Sequence, residues 1–249
     1  MSTEGIARNA PPGPPIAAWR RTVRYWLSRL LVAAVLRCYL RFTVEGRERL
    51  PRTPALLCFN HMNWSDPFVL MATLPMRPRL FFFGPREEDM GLGGRNRLMM
   101  WTGSAVPYKP GKNDLLDATR RVKVVFDSGG VLAIAGEGRI HARESDLLPL
   151  NEGAAYFALR SGVPVVPVAI TGTSWLTFGR RVRIRVGAPI PTQGRPTREA
   201  IAALTARAWD ELHALLAHAP DVPPPGRAGR WVTELFNEWP EGSRPPLEG

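Results

Sequence analysis

Short apolar runs, typical of buried strands, occur at several points along the chain. Three continuous runs predict buried strands, at 55–59, 131–135 and 163–170. Runs at 41–46 and 181–186 alternate apolar with polar residues and predict strands that have one exposed face. Two prolines interrupt the run at 163–170, and these predict a strand end or an edge strand, because proline cannot donate to a central ladder.

A longer period, with apolar residues three or four positions apart, predicts helices between these strands. The helices cover residues 113–128, 151–161 and 197–218. Because strands and helices alternate, we predict an α/β fold: a single domain over residues 41–219, with a mixed β-sheet flanked by helices.

The ends of the chain differ in pattern from this domain. Residues 1–40 are predicted to hold a disordered, Pro/Gly-rich start and then an Arg-flanked amphipathic helix from Trp19 to Arg41. Its longest uncharged run, Leu30 to Leu36, is short of the ~20 apolar residues that a spanning helix needs. The pattern fits a helix at a membrane interface equally with a helix packed on the domain. Residues 220–249 are predicted to form a Pro/Gly-rich tail with a short helix at 230–239.

The net charge of +11 and the pI near 10.8 indicate an acidic partner, such as nucleic acid, anionic lipid or a phosphorylated substrate. The arginines are spread along the chain and no nucleic-acid motif occurs, so we expect no nucleic-acid partner. Cys38 and Cys58 lie in apolar runs and are predicted to be buried free thiols. The four histidines, which lack ligand spacing, predict no metal site: His61, His141, His213 and His218.

The strand at 55–59 is followed by Asn60-His61, and a helix is predicted to begin at Ser65-Asp66-Pro67, with Ser65 or Asp66 as its cap. Across such a turn the Asp66 carboxylate can hold one ring nitrogen of His61 and leave the other free to accept a proton. The alternative is a histidine whose ring bonds only to backbone.

A second loop follows the strand at 131–135 and reads Gly136-Glu137-Gly138-Arg139. Glycines at a strand end allow the backbone to approach a ligand, and an arginine can bind phosphate through two parallel hydrogen bonds. Glu137 could hold Arg139 in place or brace the backbone. The alternative is a tight turn with a surface ion pair.

Together these stretches resemble the glycerolipid acyltransferase family, best known for lysophosphatidic acid acyltransferases. The family's Asn-His-x-x-x-x-Asp block is matched by Asn60, His61 and Asp66, and its Val-Pro-Val-Val-Pro-Val strand by residues 163–168. Its basic residue after a short strand is matched by Lys109, where Arg is usual. Its Phe-Pro-Glu-Gly-Thr-Arg block has a shorter Glu-Gly-Arg form, present here as 137–139 with Gly136 in place of the usual Pro.

The resemblance implies an O-acyltransferase of phospholipid biosynthesis that moves a fatty acyl group to a hydroxyl of a lysophosphatidate-like lipid. The donor would be acyl-CoA or acyl carrier protein, with no cofactor and no metal. It implies that His61 is the general base, oriented by Asp66. The residues that it implies for binding the acceptor phosphate are Lys109, Glu137, Gly138 and Arg139. A peripheral or monotopic location at the cytoplasmic face of the membrane would follow.

Other functions remain as alternatives. The acceptor could be a specialised hydroxyl lipid without phosphate, because Gly136 and Lys109 depart from the family pattern. A serine hydrolase would need Gly-x-Ser-x-Gly, and Gly172-Thr173-Ser174-Trp175-Leu176 lacks the final glycine. A non-catalytic basic protein that binds lipid or nucleic acid would explain the charge but not the His61/Asp66 pair.

Overall fold

The computed structural model describes residues 18–86, 99–108, 114–141, 143–217, 219, 222, 225–234 and 237. The described strands are β1 (Arg41–Glu45), β2 (Ala55–Phe59), β3 (Leu80–Arg86), β4 (Ala105–Tyr108), β5 (Val131–Ala135), β6 (Val165–Thr171) and β7 (Arg181–Val186). The described helices are α1 (Ala18–Tyr39), α2 (Asp66–Thr73), α3 (Asp114–Asp127), α4 (Gly153–Ser161), α5 (Arg198–Leu216) and α6 (Arg227–Glu234). A 3-10 turn lies at Arg47–Arg49.

The strands form one mixed sheet in the order β1-β7-β6-β2-β5-β3-β4. β7 pairs antiparallel with β6 and parallel with β1, whereas the other neighbouring pairs are parallel. The carboxyl ends of β2, β5 and β6 therefore meet at one edge of the sheet, where parallel α/β folds bind their ligands. The predicted fold class is confirmed.

Alternation along β2 separates the core into two layers. Leu56 and Cys58 pack on one face of the sheet, in a cluster with residues of α3, α4 and α5. Leu57 and Phe59 pack on the other face with α2, and side chains of α1 cover that layer. All five residues of β2 are buried, which explains why its sequence is continuously apolar.

The prediction that prolines place β6 at an edge or confine them to its ends is wrong for Pro167, whereas Pro164 lies directly before β6, at the strand end. β6 lies inside the sheet between β2 and β7, and Pro167 is opposite Cys58 in the middle of the ladder. The N and C=O of a strand residue point to the same side, and the Pro167 carbonyl accepts from Gly187 N, just beyond the end of β7. The missing N–H therefore faces a point where regular pairing has already ended.

Helix α1 packs on the domain through a face that carries a buried arginine. Arg29 is 1% exposed and donates to the carbonyl oxygens of Leu74 and Pro75, directly after the end of α2. Arg37 donates to the Ala72 carbonyl at 3.0 Å. Cations at a helix C-terminus satisfy its free carbonyls and interact favourably with the helix dipole, so α1 stabilises the carboxyl end of α2.

The opposite face of α1 is apolar and exposed. Its large exposed side chains are Trp19, Val23, Leu27, Leu30, Leu31 and Val35. Cys38, near the end of this helix, is also exposed, so its predicted burial is wrong, whereas Cys58 is buried as predicted. In the described part of the chain, no helix combines the length and apolar character that crossing a bilayer requires.

The C-terminal helix α6 begins at Arg227, three residues before the helix predicted at 230–239, and its described part ends at Glu234. Its Thr233 is fully buried and accepts a hydrogen bond from Leu176 N at 2.9 Å. Helix α6 therefore packs against the domain that precedes it.

Candidate active site

A buried asparagine fixes the point where the chain leaves β2. Asn60 is fully buried; its side-chain amide donates to the Ile170 carbonyl at 2.9 Å and its Oδ1 accepts from Ile170 N at 2.7 Å. This two-way pair joins the end of β2 to β6 after the regular ladder stops at Phe59. His61 is therefore held at the carboxyl edge of the sheet.

The His61 and Asp66 side chains meet across the turn, as predicted. Nδ1 of His61 lies 3.0 Å from Oδ2 of Asp66, and the Asp66 side chain is fully buried while that of His61 is 20% exposed. Because a carboxylate only accepts hydrogen bonds, Nδ1 carries the proton and Nε2 keeps its lone pair. In this tautomer the imidazole could accept a proton at Nε2.

Asp66 also organises the turn itself. Its Oδ2 accepts from the backbone amides of Met62 and Asn63, each at 2.8 Å. The Ser65 amide donates in turn to Oδ1 of Asn63 at 2.8 Å. Ser65 occupies the N-cap position of α2 but its side chain makes no capping hydrogen bond, so the predicted Ser65 cap is wrong. The Asp66 carboxylate serves the turn before the helix and not the amides within it.

Glu137 connects the second loop to the first. Its Oε2 accepts from His61 N at 2.6 Å, its Oε1 accepts from Leu148 N at 2.9 Å, and the side chain is fully buried. Of the two interpretations of Glu137 from sequence, the structure supports the one in which its carboxylate braces the backbone, not the one in which it holds Arg139. Both carboxylate oxygens accept hydrogen bonds from the protein backbone. The substrate contact predicted for Glu137 stays a prediction.

A second histidine contacts the same carboxylate. Nε2 of His141 lies 2.8 Å from Oε1 of Glu137. Burial lowers the pKa of His141, but contact with Glu137, followed by the charge of Asp146, outweighs this effect and raises the pKa above its ordinary value. Contact with the buried Glu137 carboxylate therefore stabilises the charged form of His141.

The glycines of the second loop allow close packing. A Cβ on Gly136 would lie 2.7 Å from Cδ2 of Leu150 and 2.9 Å from Sγ of Cys58. Gly138 has φ +69°, a conformation that L side chains rarely adopt, and its added Cβ would meet the Asn151 side chain.

Burial, and then the charge of Glu137, raises the pKa of the Cys58 thiol to about 12, so this thiol is protonated and not a nucleophile.

The predicted site residues occupy different surroundings. His61, Asp66 and Glu137 form one hydrogen-bonded group, and Gly138 and Arg139 follow on an exposed turn at the same sheet edge. Arg139 makes no ion pair with the described residues, so its guanidinium is available for an anion. Lys109 lies outside the described residues. Within the described residues, no cluster of three or more His, Cys, Asp or Glu side chains is placed to hold a metal ion.

Two residues beside the site were missed from sequence. His141 was considered only as a metal ligand, although its position four residues after Glu137 was a usable signal. Asn237 accepts a hydrogen bond from Trp64 N at 2.9 Å, yet it lies 173 residues away, within the short helix predicted at 230–239. No local pattern reveals a contact of that separation.

Comparison with known proteins identifies the family. The protein family described as Acyltransferase matches residues 41–171, which include every element that builds the His61 turn except the C-terminal segment. The chain belongs to the acyltransferase family. The match includes both the His61/Asp66 turn and the Glu137 loop.

Several members of the family are similar to this chain. The human 1-acyl-sn-glycerol-3-phosphate acyltransferase beta is 31% identical over an alignment of 173 positions, which covers 62% of this chain and 58% of the human protein. A lyso-ornithine lipid O-acyltransferase from Pseudomonas aeruginosa is 29% identical over 165 residues, covering 66% of this chain and 59% of that protein. The chain thus spans less than two thirds of the length of these relatives.

A solved structure shares the fold of this acyltransferase. The crystal structure of the 1-acyl-sn-glycerophosphate (LPA) acyltransferase PlsC from Thermotoga maritima superimposes with a TM-score of 0.62. The match covers 79% of this chain and 80% of that one at 18% sequence identity. At this identity the similarity establishes the fold.

Proposed function

We propose that this protein is an O-acyltransferase that moves a fatty acyl group from an acyl thioester to a hydroxyl of a lysophosphatidate-like glycerolipid. The observation that carries the proposal is the His61–Asp66 pair, with Nδ1 held by a fully buried carboxylate. Membership of the acyltransferase family and the relatives that act on 1-acyl-sn-glycerol-3-phosphate support the reaction class.

In this proposal Nε2 of His61 removes the proton from the acceptor hydroxyl as its oxygen attacks the thioester carbonyl carbon. Asp66 stabilises the imidazolium that forms. The tetrahedral intermediate then collapses, the C–S bond breaks, and the imidazolium returns the proton to the departing thiolate. A positioned general base contributes about 10²–10⁴-fold to such a step. The products are an ester and a free thiol, from acyl-CoA or from acyl carrier protein.

Arg139 would hold the acceptor phosphate, and the Gly138 backbone and Lys109 would be its further ligands. The exposed guanidinium and the left-handed Gly138 at the carboxyl edge of the sheet support this assignment. Glu137 contributes by fixing the loop that carries His61, since its carboxylate is occupied by backbone amides.

The apolar face of α1 would rest on the membrane that holds the acceptor, at its cytoplasmic surface. Leu27, Leu30 and Leu31 on this face are 56%, 57% and 65% exposed, and arginines of the same helix can attract anionic lipid. The arrangement supports peripheral attachment through one face of a packed helix.

A second acceptor class has its own support. The Pseudomonas aeruginosa relative is a lyso-ornithine lipid O-acyltransferase, and Gly136 and Lys109 depart from the usual family residues at the presumed phosphate site. An acceptor that lacks phosphate would still present a hydroxyl to His61.

The test measures thiol release from palmitoyl-CoA and from palmitoyl-acyl carrier protein, each with lysophosphatidate, with lyso-ornithine lipid, and without acceptor. We expect release that requires lysophosphatidate. Release only with lyso-ornithine lipid would mean that this lipid, and not lysophosphatidate, is the acceptor. Release without any acceptor would indicate a hydrolase, and no release under all conditions would contradict the proposal.

A further inference from the structure

The loop that carries His61 is shaped almost entirely by side-chain acceptors. Five consecutive backbone amides, those of residues 61–65, each donate to a side-chain oxygen. The acceptors are Oε2 of Glu137, Oδ2 of Asp66 for two amides, Oδ1 of Asn237 and Oδ1 of Asn63. Four of the five bonds thus use residues within the family match at 41–171, whereas the bond from Trp64 uses residue 237.

Asn237 is well placed to hold this amide. It is 5% exposed, its Oδ1 lies 2.9 Å from Trp64 N, and its own backbone N donates to the Thr233 carbonyl at 3.1 Å. Its side-chain nitrogen has no partner among the described residues. The contribution of this side chain to the loop is therefore a single acceptor oxygen.

The segment that carries Asn237 is itself anchored. Thr233 Oγ1 accepts from Leu176 N at 2.9 Å, and the guanidinium of Arg230 lies 5.6 Å from the centre of the Trp175 ring. Arg230 is 4% exposed and forms an ion pair with Glu234 at 3.0 Å. A buried, fixed segment can transmit its position to a loop, which a solvated tail cannot.

We propose that Asn237 is a positioning residue for the His61–Asp66 pair: its oxygen holds the Trp64 amide, and so closes the turn between the base and its carboxylate. Trp64 lies midway between Met62 and Asp66 and its ring packs on Phe68 at 4.7 Å between centroids. Release of its amide lets the turn relax and moves Oδ2 of Asp66 relative to the imidazole. The effect of Asn237 on turnover rests on the proposed function, whereas its effect on the turn does not.

The experiment compares Asn237→Ala, which removes the acceptor, with Asn237→Asp, which keeps an acceptor oxygen in nearly the same shape. Arg227→Ala, at an exposed position of α6, the helix that precedes Asn237, is the matched control. Because small displacements of catalytic groups can cost up to about 100-fold, we expect Asn237→Ala to lower kcat by roughly 10- to 100-fold. KM for donor and acceptor should stay within about twofold of wild type, because the loop acts on the base.

Rescue by Asn237→Asp, with a melting temperature of Asn237→Ala close to that of the control, supports positioning. An unchanged kcat in Asn237→Ala, or an equal loss in Asn237→Asp, overturns it. Amide hydrogen exchange of residues 61–66 gives a second readout that needs no turnover. Faster exchange in Asn237→Ala alone supports the inference even if the proposed reaction fails, and unchanged exchange overturns it.

Discussion

Glu137→Gln removes the charge that joins the two loops and keeps the shape of the side chain. In the wild type, two backbone amides donate to the two carboxylate oxygens, from His61 at 2.6 Å and from Leu148 at 2.9 Å. Glutamine retains one oxygen and places an NH₂ group against one of these amides. One hydrogen bond is therefore lost and the other changes from a charged to a neutral acceptor.

The magnitude is worked from those two bonds, and loss of the contact between Oε1 and Nε2 of His141 acts in the same direction. A hydrogen bond to a charged group contributes about 1.5–3 kcal/mol and a neutral one about 1 kcal/mol. The side chain is fully buried, so solvent does not screen the change. We expect the free energy of unfolding to fall by about 3 kcal/mol. We also expect kcat to fall by up to about 100-fold, since the His61 backbone loses its tether.

The assay combines urea unfolding with thiol release at matched folded protein. Glu152→Gln is the matched control, because Glu152 is exposed and makes no capping hydrogen bond; its effect should stay within about 0.5 kcal/mol. Wild-type stability of Glu137→Gln would refute the bracing role. Lower stability with wild-type kcat would show that the brace does not position His61.

Three further predictions concern neighbouring groups. His141→Gln should lower the free energy of unfolding most at acid pH. Because the folded-state pKa of His141 is raised, its stabilising contribution is full below the ordinary pKa of 6.5 and is lost as the pH rises through the folded-state pKa. A difference in unfolding free energy that does not change with pH would contradict this prediction. Arg139→Ala should raise the acceptor KM by about 10- to 100-fold, while Arg120→Ala on α3 should not, and a change confined to the donor KM would refute the phosphate assignment. The double variant Leu27→Glu, Leu31→Glu should reduce co-sedimentation with anionic vesicles at unchanged melting temperature. Arg29→Met should instead lower the melting temperature, because the carbonyl oxygens after α2 lose their donor. Vesicle binding that survives the two glutamate substitutions would exclude the apolar face of α1 as the membrane contact.

Much of the fold could be predicted because its signals are local. The bounds of β2, β5 and β7 match the predicted runs, since continuous or alternating apolar residues end at turn residues in each case. The N-terminus of α5 also matches, where Thr197 Oγ1 accepts from Ala200 N at 3.2 Å. The His61–Asp66 contact was predictable because both residues lie on one short turn.

What the sequence could not predict depends on distant partners. Arg29 was one of the arginines that interrupt or flank the apolar positions of the predicted amphipathic helix, and only the carbonyls of Leu74 and Pro75 explain its burial. Pro167 looked like an edge residue, but the end of β7 provides an equivalent position inside the sheet. For Glu137 the sequence allowed two interpretations, a partner of Arg139 or a brace for the backbone, and only the position of the His61 amide decides between them.

Acceptor-dependent thiol release by His61→Ala and Asp66→Asn shows directly whether this pair performs the chemistry. His213→Ala, at an exposed position of α5, is the control for the loss of a histidine. We predict that His61→Ala loses about 10²–10⁴-fold in kcat, that Asp66→Asn also loses most activity, and that His213→Ala behaves as wild type. Wild-type turnover by folded His61→Ala would contradict the account and remove this pair from the chemistry.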